Sequence, residues 1–120
     1  MSKKPPFRPK LRDVLVVLFP GFQIIDAAGP IGAFEIASRY APGAYAIRTA
    51  AAAAGLVPSS SGIPMPAEAL SGRAKVDTFI VVGGNGTADA MRDTAFVRAI
   101  SRAPARARRV ASVCSGAFLL

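Results

Sequence analysis

Two runs of apolar residues stand out along the chain, and each is closed by a turn rich in glycine. The first occupies residues 13–19 and is followed by Pro20 and Gly21; the second occupies residues 77–82 and is followed by Gly-Gly-Asn-Gly. Continuous β-branched and apolar runs are typical of strands that are buried on both faces of a parallel sheet. The pattern therefore predicts two central strands.

The segments between these runs predict a helix and two further strand-like regions. Asp26 is placed to cap a helix whose apolar residues recur at helical spacing until residues 40–43 stop it; these are Ile31, Phe34, Ile36 and Ala37. Residues 44–51 predict a second strand. Residues 56–66 are rich in Ser, Gly and Pro and predict a loop or a short edge strand.

A second helical region follows the residue 77–82 strand. Thr87 and Asp93 can each cap a following helix, and Phe96, Val97 and Ile100 supply its apolar face. Residues 110–113 predict another strand, and Cys114 lies where that strand turns into a helix. This order, β-α-β-loop-β-α-β-turn-α, predicts an α/β fold with a doubly wound, mostly parallel sheet and helices on both faces.

Composition and charge indicate a folded domain with a basic N-terminal tail. Hydrophobic residues make up 52% of the chain and charged residues 18%, which excludes a disordered protein. The net charge is +8, but the first twelve residues supply five basic groups, and the rest of the chain carries ten basic and seven acidic residues. We expect residues 1–12 to form a flexible basic tail that either favours DNA or RNA weakly or only aids solubility, and residues 13–120 to form one domain.

Five further basic residues gather late in the sequence. They lie in or just beyond the second helical region: Arg98, Arg102, Arg106, Arg108 and Arg109. Cations near the carboxyl end of a helix are favoured by its dipole. The group predicts either a solvated helix face or a surface that binds phosphate.

The sequence also limits location, metals and cofactors. No segment has the pattern of a signal peptide, and no apolar run approaches the roughly 20 residues of a membrane span. One cysteine allows no internal disulfide, so we expect a cytoplasmic protein. No metal site, cofactor or membrane partner is predicted.

The candidate chemistry lies where parallel strands end. Residues 20–26, the turn at residues 83–86 and Cys114 all follow predicted strands, and ligands of such sheets bind outside the carboxyl ends of the strands. A cysteine at the start of a helix is favoured as thiolate by the helix dipole and the free N–H groups of the first turn. Cys114 is therefore either a reactive thiol or a small core residue.

Other groups at this edge have two readings each. The backbone N–H groups of Gly83, Gly84 and Ser115 can stabilise an oxyanion, although Gly-Gly-Asn-Gly is equally consistent with a simple tight turn. Asp26 can cap the first helix, and as a protonated acid it can also donate a hydrogen bond to the cysteine sulfur. The chain contains no histidine, so it supplies no Cys-His dyad.

Four segments together resemble a known family. They are Phe-Pro-Gly-Phe-Gln-Ile-Ile-Asp-Ala-Ala-Gly-Pro at residues 19–30, Phe-Glu-Ile-Ala at 34–37, Val-Val-Gly-Gly-Asn-Gly at 81–86 and Ser-Val-Cys-Ser-Gly-Ala-Phe-Leu-Leu at 112–120. Over about residues 13–120 the chain resembles the ThiJ/PfpI family of class I glutamine amidotransferase-like domains. Within that family it is most similar to the N-terminal domain of AraC-type transcriptional regulators.

The resemblance implies a flavodoxin-like fold with Cys114 at the nucleophile elbow and Asp26 as the acid that faces it. Gly32 departs from the pattern, because many relatives carry a glutamate there. Relatives continue past the elbow helix. We therefore expect this chain to be the N-terminal, incomplete part of a longer domain. The resemblance implies two alternative functions. The first is the ligand-sensing or dimerisation domain of a homodimeric regulator that binds a small molecule and contacts DNA through a C-terminal domain. The second is a cysteine-dependent hydrolase or hydratase that acts on a small carbon–nitrogen substrate.

Overall fold

The computed structural model describes residues 10–71 and 75–120, and within them the chain forms one mixed sheet flanked by helices. Residues 1–9 of the expected basic tail lie outside the described residues. The strands are β1 (Arg12–Val17), β2 (Tyr45–Ala51), β3 (Gly55–Pro58), β4 (Pro64–Ala69), β5 (Thr78–Val81) and β6 (Arg109–Ser112). The helices are α1 (Ile24–Tyr40), α2 (Thr87–Arg92) and α3 (Thr94–Arg102), with 3₁₀ helices at Ala103–Arg106 and Cys114–Leu119.

The strands are ordered β3-β4-β2-β1-β5-β6, with β1 at the centre. Strand β1 pairs in parallel with β2 on one side and with β5 on the other, and β5 pairs in parallel with β6. Because crossovers between parallel strands are right-handed, the connections through α1 and through α3 run in opposite directions and cover opposite faces. The predicted α/β, doubly wound, flavodoxin-like architecture is confirmed.

The two apolar runs form the middle of the core, as their pattern predicted. Every residue from Val14 to Phe19 is buried, and so is every residue of β5. The helices pack on this layer through aromatic contacts: the Phe96 ring lies edge-on to Phe19 with centroids 6.4 Å apart, and Phe34 lies edge-on to Tyr45 at 4.8 Å. Burial of such rings and β-branched side chains is the main source of stability in a fold of this kind.

The segment at residues 56–66 is more regular than a loop. Strands β3 and β4 form an antiparallel hairpin, and only β3 is an edge strand, because β4 also pairs in parallel with β2. Alternation explains the pairing: Met65 and Ala67 are half-buried, while their neighbours Pro64, Pro66 and Glu68 are exposed. The expectation of a loop or a single short edge strand was therefore wrong for β4.

Helix capping differs from the sequence prediction at two of three positions. Helix α1 begins at Ile24 with Gln23 as its N-cap, so Asp26 lies inside the first turn and does not cap the helix. Thr87 is the first residue of α2, whose N-cap is Gly86. Asp93 does cap α3, because its carboxylate accepts a hydrogen bond from the Phe96 N–H, and it also divides the predicted single helical region into two helices.

Candidate functional site

The loops that follow β1 and β5 are joined by backbone hydrogen bonds at the carboxyl edge of the sheet. The Gln23 N–H donates to the Gly83 carbonyl at 2.9 Å, and the Gly86 N–H donates to the Gly21 carbonyl at 3.0 Å. A Cβ atom at Gly86 would overlap the Pro20 carbonyl, so only glycine permits this approach. The chain turns to opposite sides of β1 here, which makes this edge the topological switch point of the sheet.

Cys114 lies at the sharp turn between β6 and the last 3₁₀ helix. Its φ angle of +54° is in the left-handed region, which non-glycine residues enter rarely and at a cost in energy. The thiol is free and the residue is exposed in this chain. Gly116 completes the turn, since a Cβ atom there would overlap the carbonyl oxygens of Val81 and Val82.

Ser115, the residue after the cysteine, is held by its side chain. Its Oγ accepts a hydrogen bond from the Gly84 N–H at 3.0 Å and lies 2.8 Å from Oγ1 of Thr87. Thr87 Oγ1 donates to the Gly84 carbonyl at 2.8 Å. Because a hydroxyl has one proton, Ser115 must be the donor to Thr87. The turn at residues 83–86 and the cysteine turn are thus joined by a closed set of hydrogen bonds.

Asp26 approaches the same place from the other side. Its residue is 8% exposed, and Oδ2 accepts a hydrogen bond from the Gly83 N–H at 3.2 Å. No hydrogen bond joins Asp26 to Cys114 within the described residues. Because Asp26 lies inside the first turn of α1 and not at its cap, its carboxylate reaches the Gly83 N–H.

Gly83 is the residue on which the predicted site converges. Its N–H binds Asp26, and a Cβ atom built on it would lie 2.6 Å from the Ser115 nitrogen and 3.0 Å from the Cys114 Cβ. The structure therefore brings together the predicted residues Asp26, Gly83, Ser115 and Cys114, with Gly84 beside them. Sequence reasoning missed the role of Thr87, whose hydroxyl was assigned to a helix cap; its position directly after Gly86 was the only signal.

The backbone N–H groups of this site are unequally available. Those of Gly83 and Gly84 already donate to Asp26 and Ser115, whereas the Ser115 N–H makes no hydrogen bond within residues 10–71 and 75–120. An oxyanion at Cys114 would thus meet one unengaged donor of the three that the sequence suggested.

The described residues contain neither a metal-binding cluster nor a helix suited to a membrane. In the ranges 10–71 and 75–120, no group of three or more His, Cys, Asp or Glu side chains is arranged to hold a metal ion. Over the same ranges, no helix combines the length and the apolar character needed to cross a membrane.

The fold and the geometry of this edge define a class: a flavodoxin-like α/β domain with an exposed cysteine at a strained strand-to-helix turn. A family model matches nearly the whole chain. Residues 12–120 match the DJ-1/PfpI family, and the chain belongs to it.

Individual relatives agree with this assignment. An uncharacterised protein from the cpoL 5′ region of Streptomyces lividans is 35% identical over 108 residues, covering 89% of this chain and 76% of that protein. The crystal structure of a ThiJ/PfpI family protein from Pseudomonas syringae matches 100% of this chain with a TM-score of 0.81 and 23% identity. An AraC family transcriptional regulator from Pseudomonas putida matches 90% of this chain, and 68% of its own, with a TM-score of 0.65 and 16% identity.

The chain spans 51% of the Pseudomonas syringae protein, or about half its length. The two structural matches have less than 25% identity and therefore concern the fold.

Proposed function

We propose that this chain is the front part of a ligand-sensing or dimerisation domain in an AraC-type DNA-binding regulator. The site formed by Asp26, Gly83 and the turn at residues 114–116 binds a small molecule in this proposal. DNA is contacted by a C-terminal domain, and the full-length protein is a cytoplasmic homodimer. The observation that carries the proposal is the engagement of the Gly83 and Gly84 N–H groups, at the turn beside Cys114, by the side chains of Asp26 and Ser115.

The engaged donors bear directly on the chemistry open to Cys114. A cysteine nucleophile in acyl transfer needs donors aimed at the developing oxyanion. The N–H groups of Gly83 and Gly84, two of the three donors at this turn, are already engaged by Asp26 and Ser115. A site of this kind supplies recognition more readily than turnover.

The ligand class follows from the groups present. The Asp26 carboxylate has a further oxygen to accept hydrogen bonds, and the free Ser115 N–H is a donor. An acceptor and a donor of this kind suit a small amide-, amine- or other nitrogen-containing molecule. The fold shared with the Pseudomonas putida regulator supports the setting in which such a ligand would act.

The test begins with the product of the gene in its native cells. Intact mass and the reading frame beyond codon 120 are determined, and the full-length product is then tested for binding to the promoter of its own gene against a scrambled duplex of equal length. We expect a C-terminal region with two helix-turn-helix patterns, and loss of the preference for the promoter when that region is removed. A product without such a region, or a preference that survives its removal, would overturn the proposal.

A second function is favoured by a specific observation, the exposure of Cys114 and its φ angle of +54°. Energy stored in a left-handed residue often accompanies function, and here it would serve a cysteine-dependent hydrolase or hydratase. The test is turnover of small amides and isonitriles by the wild type and by Cys114→Ser, together with the rate of thiol alkylation against that of free cysteine. Turnover that Cys114→Ser abolishes establishes the enzyme; alkylation no faster than free cysteine with no turnover contradicts it.

A further inference from the structure

A groove lies at the edge of the sheet opposite to the cysteine site. It is formed where β1, β5 and β6 begin, whereas Cys114 and the turn at residues 83–86 follow the ends of these parallel strands. Its volume is about 470 Å³. Nine residues line it, and five of them are cationic: Lys10, Arg12, Lys75, Arg106 and Arg108.

Three separate parts of the sequence supply these cations. Lys10 and Arg12 lie where the chain enters β1, Lys75 precedes β5, and two arginines precede β6. In the sequence, Lys10 and Arg12 fall in the predicted basic tail, and the two arginines fall in the group predicted to be either a solvated helix face or a phosphate-binding surface. Lys75 belongs to neither group. The parallel pairing of β1, β5 and β6 places their amino ends side by side, so the charges share one surface.

The groove keeps a positive excess after internal pairing. Asp77 forms an ion pair with Arg108, whose Nε and Nη2 donate hydrogen bonds to its carboxylate at 2.8 and 3.2 Å. This pairing lowers the pKa of Asp77 to about 2. Asp13 is the other acidic residue that lines the groove. Within the described ranges no ion pair engages the remaining cations, which are Lys10, Arg12, Lys75 and Arg106.

We propose that this groove binds the phosphodiester backbone of nucleic acid without reading its sequence. All five cations are exposed, as needed to meet phosphates spaced along a strand. No aromatic residue lines the groove, so it has no ring on which a base can stack. Phosphate contacts of this kind give affinity and position but carry no sequence information. In the sequence, Lys3, Lys4 and Arg8 precede Lys10 and add further positive charge.

This activity is separate from the proposed regulator function. It uses neither Cys114 nor a C-terminal domain, and the two surfaces lie at opposite edges of the sheet. Loss of promoter preference would therefore leave groove binding intact, and the reverse also holds.

The experiment measures binding of the full chain to a fluorescein-labelled duplex of mixed sequence by anisotropy at several salt concentrations. Four unpaired cations predict a slope of log K against log salt of about −3.6, which is a loss of affinity of roughly 150-fold between about 50 and 200 mM salt. Absence of binding at the lowest salt would overturn the proposal.

The decisive comparison uses two double variants with equal net charge. Lys75→Gln with Arg106→Gln removes two groove cations, and the slope should become shallower by about 1.8. Arg98→Gln with Arg102→Gln removes two exposed cations of α3 that do not line the groove, and the slope should stay as in the wild type. All four side chains are exposed, and the thermal unfolding midpoint shows that each variant is folded.

Other sources of binding have their own signatures, and each would overturn the proposal. Equal weakening in both double variants would mean that only net charge matters. Weakening confined to Lys3→Gln, Lys4→Gln, Arg8→Gln would assign binding to the tail. Competition by inorganic phosphate beyond that of chloride at matched ionic strength would indicate a small-anion site, and equal affinity for vesicles of anionic lipid would indicate a membrane surface.

Discussion

At the scale of single residues, the site depends on side chains that hold backbone rather than on groups that face solvent. Asp26 and Ser115 each accept a hydrogen bond from one N–H group of the turn at residues 83–86. Thr87 accepts a hydrogen bond from the Ser115 hydroxyl. A backbone donor left without a partner in a partly buried place costs more than a neutral hydrogen bond gains. These contacts are what fix the position of Cys114.

Removing one hydroxyl should make this measurable. Ser115→Ala leaves the Gly84 N–H and the Thr87 hydroxyl without their partner, and we expect the free energy of unfolding to fall by about 1 to 2 kcal/mol. Urea denaturation followed by circular dichroism measures the change. Ser112→Ala is the matched control, because Ser112 is exposed in β6 and its hydroxyl bonds to no other described residue; an equal loss in both variants would contradict the role assigned to Ser115.

At the scale of elements, close approach of two turns decides where the residues of the candidate site lie. The turn after β5 contacts the turn after β1 through backbone bonds and contacts the cysteine turn through Gly83. Neither helix propensity nor strand pattern predicts this contact, because it depends on which strands are neighbours. The same reason explains the β3-β4 hairpin: proline-rich residues 64–69 form a strand because β2 is beside them.

A pair of glycine substitutions tests the contact. Gly83→Ala places a methyl group against Ser115, so the cysteine turn must move; we expect a loss of about 1 to 3 kcal/mol and an altered rate of Cys114 alkylation. Gly32→Ala puts the same methyl group into open space on α1 and should raise stability by about 0.5 to 1 kcal/mol. Unfolding free energies and Cys114 alkylation rates are measured for both variants. Equal changes in Gly83→Ala and Gly32→Ala would contradict the predicted contact of Gly83 with the cysteine turn.

At the scale of the whole molecule, the sheet separates two surfaces of different character. The carboxyl edge carries the thiol and Asp26, and the amino edge carries the basic groove. The pair of Asp77 and Arg108 belongs to the amino edge, where it connects the start of β5 with the segment that precedes β6. Its energy therefore contributes to how the last strand is held on the sheet.

The stability of the fold should depend on pH through this pair. Arg108 holds the pKa of Asp77 at about 2, below its ordinary value of 3.8, with the Thr78 hydroxyl lowering it further. A carboxyl whose pKa is lower in the folded state stabilises the fold above its ordinary pKa, and that stabilisation is lost as the pH falls. We expect the unfolding free energy of the wild type to fall between pH 3.8 and 2.

The variant that isolates this effect is Arg108→Gln. Its free energy of unfolding should fall less over the same pH window, because Asp77 then titrates closer to its ordinary pKa in the folded state. Arg98→Gln removes an exposed arginine of α3 and should retain the dependence of the wild type. Urea denaturation at a series of pH values gives the three curves, and parallel curves for Arg108→Gln and the wild type would contradict the assignment.

The sequence alone determined the elements whose pattern is local. The apolar runs at residues 13–19 and 77–82, the stop of α1 at Tyr40 and the cap at Asp93 follow from burial, backbone preference and hydrogen bonding within a few residues. The motif residues Asp26, Gly83 and Cys114 were also identifiable, because they follow strands.

Only the tertiary structure decided how these parts meet. Strand order determines that Asp26 and Ser115 bind the same turn, that Thr87 joins them, and that cations from three segments form one groove. Such contacts join residues far apart in the chain, and their energy depends on positions to within an ångström. Periodicity and composition describe near neighbours and hold no information about those distances.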